Sequence, residues 1–285
     1  MKICRFQSTT AEPKIGLVTD ESEVIDLSGA NIDSLATLLG GPTPADEIAS
    51  LDTASLKRHP LSEITLLAPV DRQEIWAAGV TYFRSKTARM EESDFSATAY
   101  DKVYDAPRPE IFFKSLPEKT IATGAAVGIR KDATWNVPEP ELALVMNAQG
   151  EVVGYTIGND MSSRDIEGEN LLYLPQAKMY DRSCSLGPWI VVGPTEEAVR
   201  QWEISIAIHR QDEPVFSGST SIDQIKRRFG ELAEYLNRSQ TFPHGSVLLT
   251  GTGIVPDDSF TLASGDLIEI TVSGIGTLSN PVTIV

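Results

Sequence analysis

The chain has 285 residues, of which 41% are hydrophobic and 22% charged, the balance of an ordinary globular protein with enough apolar surface for a sizeable core. Its 24 Lys and Arg against 40 Asp and Glu give a formal net charge of −16, which speaks against nucleic acid or an anionic membrane surface as a partner. An anionic substrate would therefore need local help from a metal ion or a placed cation.

The first residues carry Lys2 and Arg5 but no sustained apolar run, so no signal peptide is expected, and no window approaches the run of about 18 apolar residues of a membrane span. Cys4 and Cys184 sit in unlike contexts without metal-type or redox-type spacing. They read as free thiols in a reducing, cytoplasmic compartment.

Residues 1–66 read as a small N-terminal unit and 67–285 as the main domain. In the first, Lys2 to Phe6, Lys14 to Val18 and Glu23 to Leu27 have strand character, and Ile32 to Leu39 and Ala45 to Leu51 the composition of short helices. His59, beside Pro60, reads as a loop residue. An apolar strand follows at Ile75 to Tyr82, then the mixed-charge, helix-like stretch FRSKTARMEES from Phe83. In PRPEIFFKS the prolines force an extended entry to a buried strand. There Glu110 is either a base or acid at the mouth of a pocket or a solvent-facing carboxylate.

The turn Asn147-Ala148-Gln149-Gly150 lies between two strand-like runs and predicts a β-hairpin. If Met146 pairs with Glu151, Glu141 faces Thr156, Glu139 faces Gly158 and Asp160 lies one diagonal step beyond. Alternation then points all three carboxylates to one side at the open end of the hairpin. Such a cluster suits Mg²⁺, Mn²⁺ or Ca²⁺, whose preference is for oxygen ligands, or else it is an acidic, solvated rim; a slip of one residue would send Asp160 to the opposite face.

Beyond the hairpin, Arg164 either braces the carboxylates or bridges to Asp165. Lys178 ends the apolar run LLYLPQAK, as a substrate-binding or Schiff-base lysine or as a snorkelling surface one. Trp202 to Arg210 and Glu213 to Ser217 suggest a second hairpin, and Ser221 to Arg238, with a start signal at Ser221 and apolar residues at helical spacing, the best-marked helix. The chain ends β-rich. Thr250-Gly251-Thr252-Gly253 offers backbone N–H groups and hydroxyls to a carboxylate or keto oxygen, without the lysine of a phosphate-binding loop. The three histidines, His59, His209 and His244, have no metal spacing.

EPELALV, GYTIGNDMSSRD, Lys178 in QAK, LLTGTGIVP and LASGDLIEITVSGIGTLSNPV together resemble the fumarylacetoacetate hydrolase superfamily over about residues 70 to 285. The resemblance implies an α+β fold built on a mixed β-roll, a homodimer, and Mg²⁺ or another divalent ion held by Glu139, Glu141 and Asp160. It implies Lys178 as the active-site lysine and Thr252 as a substrate contact. Where the family's hydrolases and decarboxylases carry a histidine in an Asn-Tyr-x-x-His-type motif, this chain has Thr81-Tyr82-Phe83-Arg84-Ser85, with Ser85 at the histidine's place. A serine without a partner base cannot do a histidine's proton work near pH 7.

That departure, with PRPEIFFKS and ENLLYLPQAKMYDRSCSLGP, resembles the branch that dehydrates 2-keto-3-deoxy sugar acids, in which Glu110 matches the proton acceptor. The expected activity is a metal-dependent dehydratase of a small 2-keto acid, with Tyr82, Ser85 and Thr252 orienting the substrate. The alternative is a hydrolase or decarboxylase of diketo or oxo acids.

Overall fold

The computed structural model describes residues 1–8, 12–19, 22–41, 43–82 and 102–285. The Ser85 assignment and the helix-like stretch from Phe83 lie outside the described residues.

Among the described residues two sheets dominate, and their strands are mixed in direction, in agreement with the α+β expectation. The 11-stranded sheet runs, in spatial order, from Arg58–Pro60 through Glu23–Asp26, Lys14–Thr19, Lys2–Gln7, Cys184–Val192, Val152–Asp160, Pro140–Met146, Ser246–Leu249 and Glu74–Gly79 to Glu110–Ser115, with Thr65–Leu67 paired beside Lys2–Gln7. Ser246–Leu249 and Glu74–Gly79 run parallel; their neighbours are antiparallel. The 5-stranded sheet contains the hairpin Glu203–Arg210 and Glu213–Ser221, then Leu267–Val272, Gly276–Ile284 and Val127–Ile129.

The strand Pro140–Met146 is buried on both faces, which explains its unbroken apolar run. Leu142, Leu144 and Met146 join a core shared with Ile206, Ile270 and Leu278 of the smaller sheet, while Ala143 and Val145 join a second core with Leu35, Leu38 and Ile48 of the N-terminal helices. Strands of the first 66 residues thus continue the main sheet, Lys2–Gln7 pairing with Cys184–Val192.

Three local expectations are corrected. Met146 pairs with Val152 rather than Glu151, and a bulge between Val145 and Met146 adds a second shift, so Glu141 faces Gly158 and Glu139 lies opposite Asp160, which donates its N–H to the Glu139 carbonyl at 3.0 Å. Beyond the bulge the two single shifts sum to an even number, so Glu139, Glu141 and Asp160 keep their expected common face. The helix expected over Ser221 to Arg238 is confined to Phe229–Asn237, because Ile225 bridges to Tyr82 and the Lys226 N–H donates to the Thr81 carbonyl. His59 is not in a loop but buried in the strand Arg58–Pro60, its ring 5.5 Å from that of Phe6.

His59 Nε2 lies 3.8 Å from buried Asp26, which also accepts from Lys14 Nζ and Ser28 Oγ, both at 2.6 Å. Burial raises the Asp26 pKa, but the Lys14 and Ser28 hydrogen bonds outweigh it and hold the carboxyl below its ordinary value. Asp26→Asn is expected to cost about 1–3 kcal/mol at neutral pH, the range for removing a hydrogen-bonded buried charge. Because the native pKa is depressed, this contribution is present above the unfolded value of about 3.9 and lost as pH falls through the lower native one. Urea unfolding of both proteins at pH 7 and in steps below pH 4 measures whether the gap closes.

Candidate metal centre and active-site pocket

The hairpin brings Glu139, Glu141 and Asp160 together with one carboxylate oxygen of each within 4.8 Å of the others. All three are buried, at 3%, 2% and 1% exposure. The acidic, solvated rim is therefore excluded for these residues; they form the floor of a pocket.

Buried carboxylates need compensation, and two of the three receive it from side chains. Arg164 opens the short helix Arg164–Glu169, and its Nη2 donates to Glu139 Oε1 at 2.7 Å. Lys178 ends the helix Leu174–Lys178 and is 2% exposed, so it is no snorkelling lysine. Its Nζ donates to Glu139 Oε2 at 2.5 Å, Ser162 Oγ at 2.6 Å and Asp160 Oδ2 at 3.2 Å. Lys114, in the strand Glu110–Ser115, pairs with Asp160 Oδ1.

Glu141 differs. Among the described residues its Oε2 is held by the Gly251 N–H, at 2.5 Å, and by no ammonium or guanidinium. Burial, then the charges of Asp160 and Glu139, push its carboxyl well above the usual carboxylate range. An under-compensated buried carboxylate, converging with two more in an all-oxygen set, fits a hard divalent ion such as Mg²⁺, Mn²⁺ or Ca²⁺.

The pocket wall is built by neighbouring elements. Glu110, partly buried, lies directly over Gly79, its partner across the strands, where any side chain would collide with the carboxylate. Phe112 follows on the same wall, its ring 5.9 Å from Lys178 Nζ. Thr252, in the turn after Ser246–Leu249, also lines the pocket. Gly251 has φ +87°, and a Cβ there would strike Thr81 Oγ1 and come within 3.0 Å of the Ala78 carbonyl, so the turn needs glycine. Tyr82 is buried beneath this turn against Gly253 and does not line the pocket with the others. Burial first, and the Glu141 charge second, raise its phenol pKa.

Glu110, Glu139, Glu141, Asp160, Lys178 and Thr252 thus line one pocket. Arg164 braces Glu139 rather than serving only the surface. Two residues escaped the sequence reading. Lys114 follows Glu110 and Phe112 at the strand period of two, a signal available in EIFFKS. Glu167, buried and lining the pocket, follows Arg164 by one helical turn.

Comparison with known proteins finds similar chains. The family pattern described as fumarylacetoacetate (FAA) hydrolase C-terminal matches residues 74–283, and one described as Rv2993c-like, N-terminal, matches residues 1–69. A Haloferax volcanii protein named probable 2-keto-3-deoxyxylonate dehydratase is 45% identical over 280 residues, 98% of this chain and 92% of its own. The 2-dehydro-3-deoxy-D-arabinonate dehydratase of Saccharolobus solfataricus is 40% identical over 241 residues, covering 83% of this chain and 81% of its own. A solved structure of 2-keto-3-deoxy-D-arabinonate dehydratase complexed with magnesium and 2,5-dioxopentanoate superposes with a TM-score of 0.83 at 32% identity, over 100% of this chain and 99% of its own. On its motifs, its fold and this match across most of its length, the chain belongs to the fumarylacetoacetate hydrolase family.

Proposed function

We propose that this chain is a divalent-metal-dependent dehydratase of 2-keto-3-deoxy sugar acids, for example converting 2-dehydro-3-deoxy-D-arabinonate to 2-oxoglutarate semialdehyde. The observation that carries the reading is the shared pocket of an acidic triad, a separate carboxylate at Glu110 and a buried ammonium at Lys178. The names of the two relatives and of the complex with magnesium and 2,5-dioxopentanoate support it.

Glu139, Glu141 and Asp160 would hold the ion, taken as Mg²⁺, with Mn²⁺ and Ca²⁺ meeting the same donor set. When bound, it supplies Lewis-acid stabilisation of the negative charge that develops on the substrate's keto and carboxylate oxygens. Glu110 takes the C3 proton, and the electron pair left on C3 forms a double bond to C4 as the C4 hydroxyl departs. Lys178 gives that hydroxyl a proton, so that it leaves as water. Tautomerisation of the resulting unsaturated keto acid then places the aldehyde at the far end of a pentonate.

Thr252 orients the substrate, with Tyr82 supporting its turn and Ser85 as a further contact. Ser85 at the place of the family's histidine favours loss of water over its addition. Burial pushes the thiols of Cys4 and Cys184 up to about 12, in keeping with inert cysteines of a reducing, cytoplasmic setting. A homodimer is the assembly that the family resemblance implies.

The reading is tested with a 2-keto-3-deoxypentonate deuterated at C3. Turnover by the Mg²⁺-loaded protein should show a primary isotope effect, and Glu110→Gln should lower kcat by about 10²–10⁴-fold, the usual worth of a positioned base. Undiminished turnover by Glu110→Gln would remove that residue from the proton transfer.

A further inference from the structure

We propose that Lys114 is a positioning residue that fixes a prospective metal ligand and the pocket lysine through one ammonium. The inference rests on the proposed metal centre and goes beyond it. The Lys114 side chain is fully buried in the strand Glu110–Ser115. This ammonium donates hydrogen bonds to the Met161 carbonyl at 3.1 Å and to the Lys178 carbonyl, and it forms an ion pair with Asp160 Oδ1. The Met161 and Asp160 contacts set the end of the hairpin; the Lys178 contact closes the last turn of the helix that ends at Lys178.

The strand is shaped for this task. Ile75 pairs with Ser115 and Trp76 with Phe113, so Lys114 is the extra residue of a β-bulge. A bulge re-aims a side chain, here away from the regular ladder and under the pocket. Asp160 in turn divides its oxygens, Oδ1 to Lys114 and Oδ2 to Lys178. Without Lys114 the carboxylate is left to the 3.2 Å contact with Lys178, and two buried carbonyls lose a charged donor.

A counter-charge and a positioning group predict opposite signs. Removing a positive charge beside a metal ligand tightens binding of a cation by Coulomb's law. Loss of orientation weakens it, typically by about 10–100-fold for a group bonded to a ligand. Mn²⁺ binding to the substrate-free full chain, read by calorimetry, decides between them for Lys114→Met, with folding checked by circular dichroism. The expected result is binding weakened by about 10–100-fold, with kcat reduced more than KM is changed.

Unchanged or tighter Mn²⁺ binding by a folded Lys114→Met overturns the proposal alone. No binding by the wild type overturns the metal centre, and this inference with it. If the variant does not fold, a structure of the Mn²⁺-loaded wild type serves instead: Lys114 keeping its three contacts supports the proposal, and Lys114 withdrawn from Asp160 overturns it.

Discussion

Glu141→Gln is expected to abolish Mg²⁺ binding and to cut turnover by about a thousandfold or more, the equivalent of the several kcal/mol that a Lewis acid supplies. The same substitution should leave the metal-free protein at least as stable as the wild type. Glu141 is buried, its carboxylate is disfavoured by burial and by Asp160 and Glu139, and it accepts a hydrogen bond from the Gly251 N–H, which a glutamine carbonyl can still accept. Removing the charge removes the penalty and keeps the bond.

Glu139→Gln is the informative contrast. Glu139 accepts from both Arg164 and Lys178, so its loss leaves two buried cations short of a counter-charge, which costs about 3–5 kcal/mol when a buried pair is broken. Thermal unfolding in EDTA and in excess Mg²⁺ reads both effects. Glu141→Gln should keep its midpoint and lose the Mg²⁺-induced rise. A Glu141→Gln protein that still gains stability from Mg²⁺ would show that the ion binds elsewhere.

Lys178→Met should lower kcat by about 10²–10⁴-fold, the worth of a positioned acid, without weakening Mg²⁺ binding. Its ammonium spans Glu139 and Asp160, the space between two prospective ligands, and both carboxylates keep another cation when it is removed, Arg164 and Lys114 respectively. By charge alone, cation binding should be unchanged or tighter. Calorimetric titration with Mg²⁺ and a parallel rate measurement separate the two properties. Full activity in Lys178→Met would exclude it as the acid, and loss of Mg²⁺ together with activity would make it a bracing residue instead.

These two sites show how far the sequence reached. The triad was legible because strand periodicity depends only on parity: a turn shift and a bulge moved the register of the hairpin by two, and Glu139, Glu141 and Asp160 stayed on one face. The family motifs added the divalent ion and the role of Lys178. Local sequence did not reveal that Glu141 rests on Gly251, 110 residues away, or that Lys178 is buried among carboxylates. The shortened helix has the same cause, since helical periodicity from Ser221 yields to a bridge between Ile225 and Tyr82 that no local window contains. The place of His59 has a similar cause: Pro60 suggests a loop, whereas the neighbouring strand Glu23–Asp26 accepts Arg58–Pro60 at the sheet edge. Lys114 is legible in EIFFKS, since alternation puts it on the same side of the strand as Glu110, although it is not among the residues lining the pocket.

Metal-dependent dehydration is tested most directly by one NMR time course with the wild-type chain, run with Mg²⁺ and again after EDTA, on a 2-keto-3-deoxypentonate and, separately, on an acylpyruvate. It predicts Mg²⁺-dependent loss of the pentonate with growth of an aldehyde resonance from 2-oxoglutarate semialdehyde, both stopped by EDTA, and an acylpyruvate left intact. An untouched pentonate beside a cleaved acylpyruvate would contradict it.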